Sequence, residues 1–386
     1  TTTINNEHKK LNVPNLRFPE FQGEWKRTIF KNVITLQRGS SPRPIIEYVT
    51  TSDDGVNWIK IGDMPHFGRI VTSTEEKITK EGAKKSRQVN KGDLILSNSM
   101  SYGLPYIMGI DGYIHDGWFV LKNFENTFDK DYLCNLLISS AIQNQYKRLA
   151  AGGVVQNISS DLVNSVSVSI PTMMEQKKIS SLLNLIDERI ATQNKIIEDL
   201  KKLKSAISHI LFSSKGAIHL SEIANVVMGQ SPSSNAYNDQ GLGMPLVQGN
   251  LDISNGKTTP RLYTAEFNQT TEKGNIILTV RAPVGEVAKA TQKVCLGRGV
   301  CAIIPHEENM SDFIYQYLTF YKFMWRRYEQ GSTFTSINGS DVRNILCPKV
   351  RNVSILTLLD IKINIEERVV KQYQSQKQYM LYQMFI

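Results

Sequence analysis

Lys91-Gly-Asp-Leu-Ile-Leu-Ser97 returns about 180 residues later as Lys273-Gly-Asn-Ile-Ile-Leu-Thr279, and this echo decides how the chain is organised. Each copy is a glycine turn feeding a short apolar run, the pattern of a strand bounded by turn residues. Gly103 and Gly285 follow the two copies at the same distance. Upstream, Leu36-Gln-Arg-Gly-Ser-Ser-Pro42 is matched by Val227-Met-Gly-Gln-Ser-Pro232, and Trp58-Ile-Lys-Ile-Gly-Asp63 by Pro245-Leu-Val-Gln-Gly-Asn250. Downstream, His115-Asp-Gly-Trp-Phe-Val120 is matched by Gly297-Arg-Gly-Val-Cys-Ala302. Gly152-Gly-Val-Val-Gln-Asn-Ile158 is matched by Gly331-Ser-Thr-Phe-Thr-Ser-Ile337, and each series closes at a proline, Pro171 or Pro348. No single pair is specific. Their shared order, with an offset drifting from about 190 to about 177, predicts a duplication rather than a chance likeness of two β-rich segments.

Each copy also carries one helical stretch before its glycine loop, 131–149 and 311–328, so each reads as an α+β module. Between and after the modules the pattern changes. Residues 174–212 contain no Gly or Pro. Their heptad seam places Ile179, Ile186, Gln193, Leu200 and Ile207 at one position, and Leu183, Ile190, Ile197, Lys204 and Leu211 at the other. Thr172 with Glu175 three residues on resembles a capping box. The second such segment, 353–386, contains Ile365-Glu-Glu-Arg-Val369, which matches Ile186-Asp-Glu-Arg-Ile190, and its seam is poorer, with Gln372 and Gln376. The expected architecture is α+β: two tandem modules separated by two long helices that pair as an antiparallel coiled coil. The expected segments are 1–170, 171–213, 214–350 and 351–386. Solvated amphipathic helices on globular domains are the plainer alternative.

Composition bounds the rest. A chain of 386 residues allows about two or three domains. With 41% hydrophobic and 21% charged residues, it can bury a core and is not a disordered chain. Lys and Arg number 45 against 36 Asp and Glu, a net charge of +9, which fits a polyanionic partner or simply a solvated basic surface. Cys134, Cys295, Cys301 and Cys347 form no Cys-x-x-Cys pair, so a reduced, intracellular, cytoplasmic protein is expected. Residues 1–10 have no apolar signal core, and no apolar run approaches a membrane span of about 18 residues.

The stretch Val13-Pro-Asn-Leu-Arg-Phe-Pro-Glu-Phe-Gln-Gly-Glu-Trp25 resembles the leader of type I restriction-modification specificity subunits. So does Ile170-Pro-Thr-Met-Met-Glu-Gln-Lys-Lys-Ile179 with the Ile186-Asp-Glu-Arg-Ile190 that follows. The likeness spans nearly the whole chain, although Pro348 is not followed by a second Glu-Gln pair. It implies two target recognition domains on double-stranded DNA, each reading part of a split, asymmetric sequence. It implies helices that set the spacing and dock two methyltransferase subunits acting on adenine, with restriction and translocase subunits joining through them. It also implies no cofactor in this chain; S-adenosylmethionine, ATP and magnesium belong to those partners. No membrane partner is expected.

The residues agree with a recognition protein. There is no Asn-Pro-Pro-Tyr or Asp-Pro-Pro-Tyr motif, no Gly-x-Ser-x-Gly elbow and no histidine pair with metal spacing, so catalytic and metal sites are expected to be absent. Asn255-Gly-Lys-Thr258 resembles a phosphate-loop tail but has Leu251 where the motif needs glycine, so a turn is expected. His115-Asp-Gly117 also reads as a turn. An enzyme on a polymer would need exposed acids such as Asp63, Asp93 or Asp116, and only Asp63 and Asp93 keep even a polar counterpart, Asn250 and Asn275. Candidate DNA contacts gather instead in loops. In the first module they are Arg38, Ser40, Ser41, Arg43, Lys60, Lys84, Lys85, Arg87, Gln156 and Asn157. In the second they are Gln230, Ser231, Ser233, Lys257, Arg261, Arg281, Arg298, Thr333, Thr335 and Asn338. Lys and Arg grip phosphates, while Arg and Lys match guanine, and Asn and Gln match adenine. Different loop chemistry on a common scaffold predicts two different half-sites. At 1.5 Å per residue, about 34 helical residues span roughly 50 Å, or about 15 base pairs. A coiled-coil scaffold that binds only proteins is the competing class.

Overall fold

The computed structural model describes residues 11–65, 68–99, 103–150, 157–213, 218–328, 336–350 and 352–386. They form two compact units: the residues up to Lys195 with Arg368–Ile386, and Ile196–Glu367. Each unit holds one α+β module and a share of both long helices, Met173–Phe212 and Ser354–Gln383.

In the first unit, Leu94–Ser97 is the central strand of a five-stranded sheet, between Trp118–Lys122 and Pro105–Met108. Leu94 and Leu96 pack with Phe119, Leu121, Tyr132 and Leu136 on the helical side. Ile95 and Val120 point the other way, into a cluster with Ile59, Val71 and Ile114. A strand covered on both faces needs no polar alternation, which explains its unbroken apolar sequence. A second five-stranded sheet contains Val56–Ile59 beside Gly112–Ile114 in parallel register, Ile59 opposite Ile114.

The second unit repeats this. Ile276 and Leu278 pack with Cys301, Ile303 and Phe313, while Ile277 joins Val300 and Ala302 on the opposite face. Val247 lies opposite Leu296 in the matching parallel pair. The duplication extends to single hydrogen bonds. The Gly92 N–H donates to Met108 O (2.7 Å) and Gly274 to Ala290 (2.8 Å); Phe30 donates to Val166 (3.0 Å) and Leu220 to Ile345 (2.8 Å). Gly103 and Gly285 both take positive φ, +77° and +90°. At these positions a Cβ would run into the rings of Tyr146 and Trp325, so both conformation and space require glycine.

Several expectations need correction. The helical stretch of the first module is two helices, Lys130–Ile138 and Ser140–Ala150. The break is at Ser139, whose backbone is extended and whose hydroxyl donates to Leu136 O (2.6 Å), competing with helical bonding. In the second module the α-helix ends at Tyr321 and continues as a 3-10 helix, Lys322–Tyr328. The capping box is only half formed. Thr172 Oγ1 accepts the Glu175 N–H (3.3 Å). The Glu175 carboxylate turns instead to Arg17 Nε and Nη2 (2.7 and 2.9 Å) and Trp25 Nε1 (3.2 Å). That buried carboxylate holds the Arg17 guanidinium above its usual range, the hydrogen bond being the main cause. Gln176, also buried, accepts from Asp129 N (2.9 Å) and donates to Thr127 O (2.9 Å). The Glu-Gln pair therefore fastens the leader and the module to the helix. In the second copy Asn352 Oδ1 accepts from Ser354 N (3.0 Å) at the helix start.

The repeat pairing of 58–63 with 245–250 also shifts. Strand register aligns Ile59 with Val247, and the counterpart of Asp63 is Asp252 rather than Asn250. Asp63 Oδ2 accepts Lys60 N (2.7 Å), and Asp252 Oδ2 accepts Gln248 N (2.8 Å). The turn expected at Asn255-Gly256 is present, a two-residue hairpin with φ of 51° and 67°.

On the first long helix Ile179, Leu183, Ile186 and Ile197 are buried, and Ile190, Leu200, Ile207 and Leu211 are half-buried. Ile179 and Leu183 belong to the first core, while Ile207 and Leu211 pack on the second. The stripe thus serves the modules as well as the partner helix. In the first unit Asp187 Oδ2 meets Lys377 Nζ (2.7 Å) and Arg189 stacks on Tyr373. In the second, Lys201 meets Glu367 (2.8 Å) and the seam residue Lys204 meets Asp360 (2.6 Å). Partner numbers fall as the first helix's numbers rise, so the helices run antiparallel. The seam of the second helix differs from the one expected. Gln372 and Gln376 are exposed, as is Ile365 (42%), whereas Leu356, Ile363 and Val370 are buried. Lys377 continues that sevenfold spacing because Asp187 neutralises it; burial, then Arg69, lowers its pKa.

Candidate nucleic-acid interface

In both modules the loops that sequence comparison pairs come together on one face. The Gly39 N–H donates to Trp118 O (2.8 Å) and Gly229 to Val300 O (3.0 Å); Ser40 donates to Ile114 O (3.3 Å) and Gln230 to Leu296 O (2.9 Å). These bonds lay each Gly-Ser-Pro loop across the turn at 115–117 or 297–299. The glycine loops arrive by matching bridges, Ser99 with Asn157 and Arg281 with Ser336. Ile158 donates to Asn98 O (2.8 Å) and Ile337 to Val280 O (3.0 Å).

The result is a cleft in each module, about 770 Å³ in both. In the first, Ser41, Arg43, Lys60, Ser99 and His115 are joined by the apolar Pro42, Pro44, Ile45 and Ile61. Every lining cation there is paired: Arg43 Nη2 with Asp116 (3.1 Å), and Lys60 Nζ with Glu76 (2.6 Å). The hydrogen bond that Lys60 donates to Glu76 raises the Lys60 pKa. The Ser41 hydroxyl donates to Asp116 Oδ1 (2.6 Å) and is the main reason that carboxyl stays below its usual value. Burial lowers the His115 pKa against the opposing pull of Asp116, and its Nδ1 accepts the Gly117 N–H (2.8 Å).

In the second cleft Ser231, Arg261, Arg281 and Arg298 meet Gln248, Asn250 and Asp252. Ser231 Oγ accepts the Arg298 N–H (3.1 Å), the counterpart of the Ser41 contact with Asp116. One loop position thus carries an aspartate in one module and an arginine in the other. Among the described residues, the Arg281 and Arg298 guanidinium groups meet no carboxylate within ion-pair distance.

The remaining candidates spread more widely. Arg38 and Arg87 join the rim, Arg87 Nε donating to Arg38 O (3.1 Å) and Arg38 Nε to Asp116 O (3.4 Å). Lys85 lies over the Tyr48 ring (4.6 Å) and Lys84 is exposed beside it; neither lines the cleft. Ser40 lies on the first loop, Gln230 and Ser233 on the matching second loop, and Asn157 on its own bridge. Lys257 sits on the hairpin strand Lys257–Thr258, away from the cleft lining. Asn338 caps a short helix, accepting from Ser340 N (2.8 Å) and Asp341 N (3.0 Å), as Ser159 does in the first module. Gln156, Thr333 and Thr335 lie outside the described residues. The sequence alone gives His115 and Asp116 only as a turn and leaves Gln248 and Asp252 without a role. The pairing of His115-Asp-Gly with Gly-Arg-Gly299 held the clue to the first two. No group of His, Cys, Asp or Glu suited to a metal is found among the described residues, and no helix there is long and apolar enough to cross a membrane.

The family model described as type I restriction modification DNA specificity domain matches residues 23–202 and 216–372, one match per module. The putative type I restriction enzyme MjaX specificity subunit of Methanocaldococcus jannaschii is 27% identical over 379 residues, covering 88% of this chain and 86% of that protein. A chain solved in work on complex assembly and conformational transition of the type I R-M system superposes with a TM-score of 0.63 at 21% identity, over 92% of this chain and 96% of that one. The type I restriction-modification S subunit from M. genitalium gives 0.60 at 19% identity, over 97% and 99%. These two structures share the fold.

Proposed function

The chain belongs to the type I restriction-modification DNA specificity family, and from that membership we propose that each module reads one half of a split, asymmetric duplex site. The observation that carries this reading is the contrast of the two clefts. The same loop position carries Asp116, paired with the lining Arg43, beside one cleft and Arg298 in the other; among the described residues both lining cations of the first cleft are paired, whereas in the second only Arg261 is. A carboxylate accepts from base amino groups and an arginine donates to guanine, so the two halves of the target differ in sequence. The long helices set the gap between the halves and dock two methyltransferase subunits that methylate adenine. Restriction and translocase subunits join through these. The chain itself is a non-catalytic recognition subunit; S-adenosylmethionine, ATP and magnesium serve the partner subunits.

The test is binding of the full chain to mixed-sequence duplex at low and moderate salt, with methyl transfer measured in parallel. Expected is binding that weakens steeply with salt, by counterion release, and methylation only when the partner subunits are added. Absence of duplex binding at low salt would favour a protein scaffold instead, and methyl transfer by the chain alone would refute the non-catalytic role.

A further inference from the structure

We propose, resting on this half-site reading, that Arg261 recognises a guanine in the half-site of the second module and that Asp252 positions it. Only 4% of the Asp252 side chain is exposed, against 58% of Arg261. Asp252 Oδ2 accepts the Gln248 N–H (2.8 Å) and Oδ1 accepts Arg261 Nε (3.0 Å). A guanidinium held from the side through Nε has its plane fixed. With Nε engaged and the side chain more than half exposed, its two terminal nitrogens are left to donate, the fork that meets guanine O6 and N7 together.

The first module serves as an internal control. Its Asp63 uses Oδ2 in the same way, for Lys60 N (2.7 Å), but Oδ1 takes a backbone N–H, that of Glu75 (2.9 Å). Strand pairing sets Trp58 opposite Glu76 and Leu246 opposite Leu262, so Glu75 and Arg261 hold the same position. Both modules thus use the aspartate to pin the loop. Only the second spends its other oxygen on a side chain that projects into the cleft, beside Arg281 and Arg298. A phosphate contact draws mainly on a cation's full charge, whereas a base contact draws on its direction. Arg261 is held at Nε and partly neutralised by Asp252, which suits a directional contact with a base edge.

Duplexes selected from a random pool by the full-length chain together with its modification subunits, at fixed salt, test this. The wild type is expected to select a split motif with a guanine in one half. Arg261→Lys keeps the charge and loses the fork. It is expected to lower the preference for guanine at that one position roughly 5- to 150-fold, with the other half and the gap unchanged. Asp252→Asn is expected to relax the same position. Should that variant melt early, Arg261→Lys and Arg261→Ala carry the test alone. A motif unchanged in both arginine variants, or affinity lost equally for all sequences, overturns the assignment; so does a wild-type motif without guanine. A wild type that selects no split motif overturns the half-site reading itself, and this assignment with it.

Discussion

Asp116 and Arg298 occupy one position of a duplicated loop and differ by two units of charge, which is the sharpest asymmetry between the modules. His115 accepts the Gly117 N–H on its Nδ1, and burial outweighs the pull of the adjacent Asp116 on its protonation. Its pKa lies below the usual 6.5, which fixes the sign of a pH effect. Above that value neither state holds the proton. As pH falls below it, the unfolded chain takes up a proton that the folded ring refuses, so stability is lost until the folded pKa is passed. Thermal melts of the full chain at about pH 7 and about pH 5 should therefore differ less in His115→Gln than in the wild type. An equal difference in both would contradict the buried, neutral ring. His115-Asp-Gly117 forms the expected turn, joining Gly112–Ile114 to Trp118–Lys122. That the turn also brings an imidazole into a cleft and a carboxylate against Ser41 and Arg43 depends on the Gly39 loop crossing it, a contact made from far away in the chain. Asn338 shows the converse: an amide that suits adenine is occupied in capping a helix.

At the scale of elements, the apolar run at 94–97 and the heptads at 179–211 were legible because burial leaves a period in the sequence. The seam of the second helix was not, because burial there includes charge. Lys377 and Glu366 occupy seam positions, Lys377 against Asp187, and a pattern of apolar residues alone points to Ile365 instead. The break at Ser139 was hidden for a related reason, since a serine mid-helix signals nothing until its hydroxyl turns on its own backbone. If these helices set the spacing of the target, removing one heptad from each shortens the pair by about 10 Å, or about three base pairs of duplex. Binding or methylation of a series of duplexes with graded gaps should show the optimum shortened by about that amount. An unchanged optimum would remove the spacing role from the helices while leaving the modules as readers.

For the molecule as a whole, the duplication explains both what repeats and what does not. Backbone hydrogen bonds at Gly92 and Gly274, and at Gly103 and Gly285, recur because the strands and turns need them. Side chains at 43, 116 and 75 differ from those at 233, 298 and 261, because the shared backbone bonds there do not require a particular side chain. The net charge of +9 is consistent with duplex binding, yet the distinction between the clefts lies in which cations are paired. The central claim is that one chain specifies two unlike half-sites held at a fixed gap. Its most direct test is the map of methylated bases in DNA from cells that carry this protein with its partner subunits, compared with cells lacking it. The account predicts methylated adenine within a motif that appears only with this chain, made of two different short halves around unspecified bases, with guanine in one of them. A contiguous motif, two identical halves, or a map unchanged by the loss of the chain would contradict it.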